Sequence, residues 1–118
     1  MSVEIIREGE RLGLHIKKIP DLEEDIVDGF LYADVEQTYP VIDDYLEELR
    51  RENVVSRVDP MHFKETHYLA NGGNIVLYLC EVSVKGVEIK DNGIGIEVTN
   101  CPKGIFEDME TILRKLRH

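Results

Sequence analysis

The chain of 118 residues contains no tryptophan, two cysteines, four prolines and a single glutamine, Gln37. Its longest unbroken apolar run, Ile75 to Cys80, is six residues long, whereas an α-helix needs about 20 to cross a bilayer, so no membrane span is expected. From Met1 to Glu8 no basic stretch leads into an apolar run, which excludes the pattern of a secretory signal and points to a cytoplasmic setting. Cys80 and Cys101 are too few for a disulfide framework or a four-cysteine zinc site, and both are expected as reduced thiols. Scarce glutamine beside fifteen glutamates is a composition reported for hyperthermophilic proteins.

Basic residues are scarce too. Lysine and arginine number 14 against 24 acids, a net charge of −10. That sign cannot displace counterions from phosphates, so nucleic acid is not an expected partner. No lysine or arginine occurs from Asp21 to Leu49, and the segment from Asp21 to Glu52 holds twelve acids with only Arg50 and Arg51 as bases. This one segment carries the whole net charge, while the acids and bases elsewhere balance.

What is present is a globular pattern, 42 % hydrophobic, of a length that makes one domain over 1–118. Val3 to Ile19 alternates as a β-hairpin about Gly9-Glu10, which pairs Glu4 with His15 and Glu8 with Arg11 across the strands. Asp21 to Asp28 reads as a short helix, with Leu22 and Ile26 four apart and Gly29 as its cap, while Phe30 to Val35 fits strand or helix. A helix over about 39–53 follows, with Thr38 as cap, Pro40 in its first turn, Ile42, Tyr45, Leu46 and Leu49 as its apolar stripe, and Asn53 as its stop. Asp43 and Asp44 are expected near its positive end, and Glu47 to pair with Arg51.

Asp59-Pro60 reads as a break, and His62–Leu69 with Ile75–Val84 as a hairpin about Asn71-Gly72-Gly73-Asn74. After a turn at Lys85-Gly86, Asn92-Gly93 has the residues of a type I′ turn, which would set Ile89 against Ile96, Val87 against Val98 and Glu88 against Glu97. A final helix over about 104–117 carries Ile105, Phe106, Met109, Ile112, Leu113 and Leu116 on one stripe, with acids early and bases late. The expected fold is α+β: an antiparallel sheet of about five to six strands, built from the N-terminal hairpin and a C-terminal meander, with both helices on one face.

The string Asp91-Asn92-Gly93-Ile94-Gly95-Ile96 resembles the nucleotide-binding box of the histidine-kinase type ATPases, where an aspartate reads adenine and glycines admit the backbone close to the nucleotide. The resemblance covers six residues. That family's fold adds a helix with a magnesium-binding asparagine upstream and a long glycine-rich lid downstream, whereas strands precede this string and twenty-two residues follow it. The hairpin accounts for Asn92-Gly93 without a ligand, and no cofactor is assigned. Asn71 to Asn74 lacks the lysine or helix N-terminus of a phosphate loop and reads as a turn.

His62 and His67 fall on opposite faces of one strand, so they do not share a metal. Glu65 and His67 share a face, and a loop over Asn71–Asn74 would place Cys80 opposite Glu65. This mixed set lacks any established site spacing, and no metal is assigned. Cys101, just before Pro102 and the last helix, sits where a helix dipole lowers a thiol pKa. No nucleophile with an oriented base is visible. Two functions follow. The first is a small non-enzymatic accessory or regulatory protein that meets a basic protein surface through Asp43, Asp44, Glu47 and Glu48, with a sheet edge or the last helix available for a homo-oligomer. The alternative is a small-molecule-binding protein or enzyme whose pocket uses His62, Glu65, His67 or Cys101.

Overall fold

A computed structural model describes residues 25–34, 37–79, 82–90 and 93–116. The hairpin expected over Val3–Ile19 lies outside them. Among the described residues there are seven strands and two helices: β1 (Ile26–Ala33), α1 (Thr38–Arg51), β2 (Val55–Pro60), β3 (Lys64–Leu69), β4 (Asn74–Leu79), β5 (Ser83–Val84), β6 (Val87–Glu88), β7 (Ile94–Pro102) and α2 (Lys103–Leu116). Five of the strands make one antiparallel sheet in the order β1-β7-β4-β3-β2, and β5 and β6 form a separate pair. Both helices lie on one face of the large sheet, as expected for α+β. Ile42, Tyr45 and Leu49 of α1 and Ile105, Met109 and Ile112 of α2 join Ile75, Leu77, Ile94, Ile96 and Val98 in a single apolar core.

Both helices form where their stripes predict, and the end of α1 follows from one residue. Asn53 adopts a positive φ of 63°, the N–H of Asn53 bonds the carbonyl of Arg50 at 3.1 Å, and that of Val54 reaches the carbonyl of Leu49 at 2.8 Å. Those two bonds are a Schellman motif, with asparagine in the position glycine usually takes. The start differs from expectation. Gln37 is the cap and makes no side-chain capping bond, while Thr38 is already helical, with its Oγ1 buried and unpartnered. The helix therefore begins a full turn before Asp43 and Asp44, beyond reach of the dipole that was to stabilise them. Glu47 pairs with Arg50 at 3.3 Å rather than with Arg51.

Several strands depart from the sequence reading. Ile26 to Asp28 belongs to β1 and is not helical. Gly29 caps nothing: a Cβ there would stand 2.8 Å from the Phe106 ring, so its bareness lets α2 settle on β1. Asp59-Pro60 does not break the chain but ends β2, an edge strand on which a proline costs no ladder bond. The β3–β4 hairpin pairs Glu65 with Leu77, three residues short of Cys80. The turn at Lys85-Gly86 forms as read, with φ of 51° and 79° and Val84 facing Val87, as a type I′ turn requires.

The meander expected through Asn92-Gly93 is not formed. Gly93 N–H bonds the carbonyl of Lys90 at 2.7 Å, so the chain does turn there, but β7 then pairs with β4 on one side and β1 on the other, placing Leu77 and Leu31 beside Ile96. A local hairpin with β6 would take one of those edges and leave a long apolar strand short of a partner. Ile89 is instead fully buried and lays its Cδ1 over Gly95.

Candidate functional site

Helix α1 turns its buried stripe to the sheet, which leaves Tyr39, Asp43, Glu47 and Arg50, on successive turns, along the flank that overlooks β2 and β3. On β3, Glu65, His67 and Leu69 alternate toward the helices, and Val58 of β2 lies beside His67. These elements enclose a cavity of about 180 Å³ lined by Asp43, Leu46, Glu47, Arg50, Val58, Glu65 and His67.

The polar groups around this cavity are tied to one another. Tyr39 donates its hydroxyl to Glu65 Oε2 at 2.5 Å. Glu65 Oε1 lies 3.3 Å from His67 Nε2, and Arg50 Nη1 lies 3.3 Å from Glu47 Oε1. The His67 side chain is only 4 % exposed, and burial lowers its pKa against the opposing pull of Glu65. The imidazole is therefore neutral at physiological pH. With Nε2–H turned to Glu65, Nδ1 is left as a lone-pair acceptor, buried and without a partner. Burial also raises the pKa of Asp43, helped by the negative charges of Glu65, Asp44 and Glu47. Tyr39 is held protonated well above the usual phenol range, by burial first and then by its bond to Glu65.

Chemically, the wall offers acceptors and few donors. Three carboxylates line a space whose lining cation is Arg50, already engaged by Glu47 and itself 57 % exposed. A positively charged group would offset the remaining negative charge. Among the described residues no cluster of three or more metal-ligating side chains has the arrangement to hold an ion.

The structure sorts the residues singled out from sequence. All four helix carboxylates are half-buried; Asp43 and Glu47 line the cavity, while Asp44 and Glu48 occupy the opposite flank of α1, where Glu48 Oε2 is buried and unpartnered. Glu65 and His67 join the first pair. His62 is exposed and stacks edge-on against Phe63, with centroids 4.4 Å apart. Cys101 is fully buried within β7, its Sγ 3.5 Å from the carbonyl of Pro102, so it is a packed core thiol rather than one exposed at a helix end. Cys80 lies outside the described residues. Sequence reasoning missed Tyr39 and Arg50, although the recurrence of polar side chains at 39, 43, 47 and 50 along one helical flank was a readable signal.

On the other face of the sheet, Lys85 pairs with Glu97 at 3.3 Å and Tyr78 donates to the same carboxylate at 2.9 Å. These charges neutralise one another beside a second depression of about 320 Å³. Among the described residues no helix is long and apolar enough to cross a membrane. The chain matches no protein-family profile, no curated protein and no solved structure.

Proposed function

We propose that this chain is a small non-enzymatic accessory or regulatory protein of the cytoplasm, working by contact, whose acidic α1–β3 cavity receives a basic side chain on the surface of a partner protein. The observation that supports this reading is the convergence of Asp43, Glu47 and Glu65 on one cavity whose lining cation is already paired. The size of the space argues the same way: about 180 Å³ is smaller than the roughly 300–1,000 Å³ of most small-molecule pockets, yet ample for the end of one long side chain. Negative charge concentrated in one segment would also speed encounter with a basic surface.

The test is affinity capture from the native source with the wild-type chain and with an Asp43→Asn/Glu47→Gln variant, each washed at rising salt. A basic protein held by the wild type, released as screening shortens the reach of the charges and weakened several-fold by the double variant is the expected result. Equal retention by the variant at low salt would overturn the reading. Asp44→Asn/Glu48→Gln, on the opposite flank, serves as the control and should matter less.

A further inference from the structure

Asparagine followed by glycine readily loses its side-chain amide, because the bare glycine leaves its backbone nitrogen unshielded. The chain has two such pairs, Asn71-Gly72 in the β3–β4 turn and Asn92-Gly93. In the reaction at the first pair, the Gly72 nitrogen attacks Asn71 Cγ. The new N–Cγ bond forms as Cγ–Nδ2 breaks, and the Gly72 amide proton leaves with the Nδ2 group as ammonia. Water then opens the cyclic imide at either carbonyl, leaving aspartate or isoaspartate.

The folded turn restrains the atoms this reaction uses. The Gly72 N–H bonds the carbonyl of Leu69 at 3.0 Å, the Leu69 N–H bonds that of Gly73 at 2.8 Å, and Gly72 takes a φ of 93°, a tight turn closed by a left-handed glycine. Asn71 Oδ1 accepts from the Gly73 N–H at 2.9 Å, and its Nδ2 donates to the carbonyl of Asn100 at 3.0 Å. Asn71 and Gly72 are both exposed, so water reaches them. Hydrogen bonds, not burial, keep the nitrogen from Cγ.

Those bonds admit only an amide. The Gly73 N–H only donates and the Asn100 carbonyl only accepts, so a carboxylate at position 71 would set an oxygen against that carbonyl. The turn packs tightly there: a Cβ on Gly73 would collide with the carbonyl oxygens of Thr99 and Asn100. Asn100 itself has a φ of 49°, and its N–H is held by Asp28 Oδ1 of β1 at 2.8 Å. The Asn71 amide thus ties the β3–β4 turn to a left-handed residue of β7 that β1 grips as well.

We propose that Asn71 is a deamidation site that the folded chain holds shut and that opening of the β3–β4 turn exposes, and that its conversion to an acid releases the turn from Asn100. The lesion forms in the opened turn and then favours it, so damage at this position reinforces itself. Isoaspartate adds to the effect by lengthening the main chain of a tight loop.

The experiment follows the full chain by peptide mapping and mass spectrometry during incubation at mildly alkaline pH, native and in guanidinium chloride. In denaturant, Asn71 and Asn92 are expected to deamidate at similar rates. In the native chain Asn71 should be slower by roughly tenfold or more, the factor set by the net worth of one or two hydrogen bonds. Amide hydrogen exchange tests the consequence: in Asn71→Asp, the Gly72 and Gly73 amides should exchange several-fold faster than in the wild type. Equal rates at Asn71 in native and denatured chains, or no deamidation there in denaturant, would overturn the shut site. Unchanged exchange in Asn71→Asp would overturn the release. The acidic cavity takes no part in either measurement, so the contact reading stands or falls separately.

Discussion

Two tyrosines of α1 donate to two carboxylates, and the pairs have opposite surroundings. Tyr45 bonds Asp108 of α2 at 2.8 Å between side chains that are 2 % and 3 % exposed, enclosed by the apolar core. Tyr39 bonds Glu65 at 2.5 Å, beside a cavity that also holds Asp43, Glu47 and His67. The bond is the same, but the acceptors left over are not. At Tyr45 a hydroxyl bonds a carboxylate in a closed space and joins the helices, which is a structural use of polarity. At Tyr39 the same kind of bond lies beside a cavity lined by further carboxylates and open to solvent, where polar groups can be met from outside the fold.

The sharpest way to break this contrast is to delete Asp108. Asp108→Ala removes a buried bond between the two helices and should cost about 1–3 kcal/mol, read as a lower denaturant midpoint at unchanged slope. Tyr39→Phe removes a bond at a wetter place and should cost about 1 kcal/mol. A larger loss there than at Asp108 would mean that the cavity side is the structural one.

Proton linkage gives the next effect. The unfolded chain protonates His67 near the ordinary value of 6.5, while burial holds the folded imidazole neutral to lower pH. Below about pH 6.5 the unfolded state therefore binds more protons, and this residue's contribution to stability is lost as the pH falls through that window. Relative to wild type, His67→Gln should gain stability progressively on acidification from about pH 7 to pH 5, by on the order of 1 kcal/mol, measured by thermal or urea unfolding across that range. A constant difference between the two chains would mean the imidazole is not held neutral.

Asp43 has the opposite sign and the smallest effect. Its pKa is raised above 3.8, so the folded state keeps the proton longer than the unfolded one. Once the pH exceeds the folded value, ionised Asp43 weighs against the fold. Asp43→Asn should thus stabilise the chain near neutrality by a few tenths of a kcal/mol, the scale of one exposed like-charge contact. Destabilisation would show that the carboxylate has a favourable partner within the fold.

The two helices were legible because their apolar stripes and the stop at Asn53 are local, and the Lys85-Gly86 turn for the same reason. Which strand lies beside β7 was not. Asn92-Gly93 gives a strong local hairpin signal, yet β7 is an interior strand of the sheet and buries Ile94, Ile96 and Val98 with β4 and β1 on its two sides. That preference is set by residues far away in sequence. The candidate site divides the same way. That Glu65 and His67 share a strand face, and that Asp43 and Glu47 lie one helical turn apart, follow from periodicity. Their meeting across one cavity depends on how α1 crosses β2 and β3, which no spacing within either element encodes.

The position of β1 at the sheet's edge against β7 has a kinetic meaning. The β3–β4 turn brings Tyr68 opposite Asn74, whereas pairing Leu31 with Ile96 closes a span roughly four doublings longer, at an extra closure entropy of about 2–3 kcal/mol. The β2–β3–β4 meander therefore has the cheaper nucleus, and β1 waits for β7. On the ribosome β1 is made before every other described strand, so the pairing of Phe30, Leu31 and Tyr32 with β7 waits until nearly all of the described chain has emerged. A strand that waits in this way for a distant partner is open to misassociation in the interval.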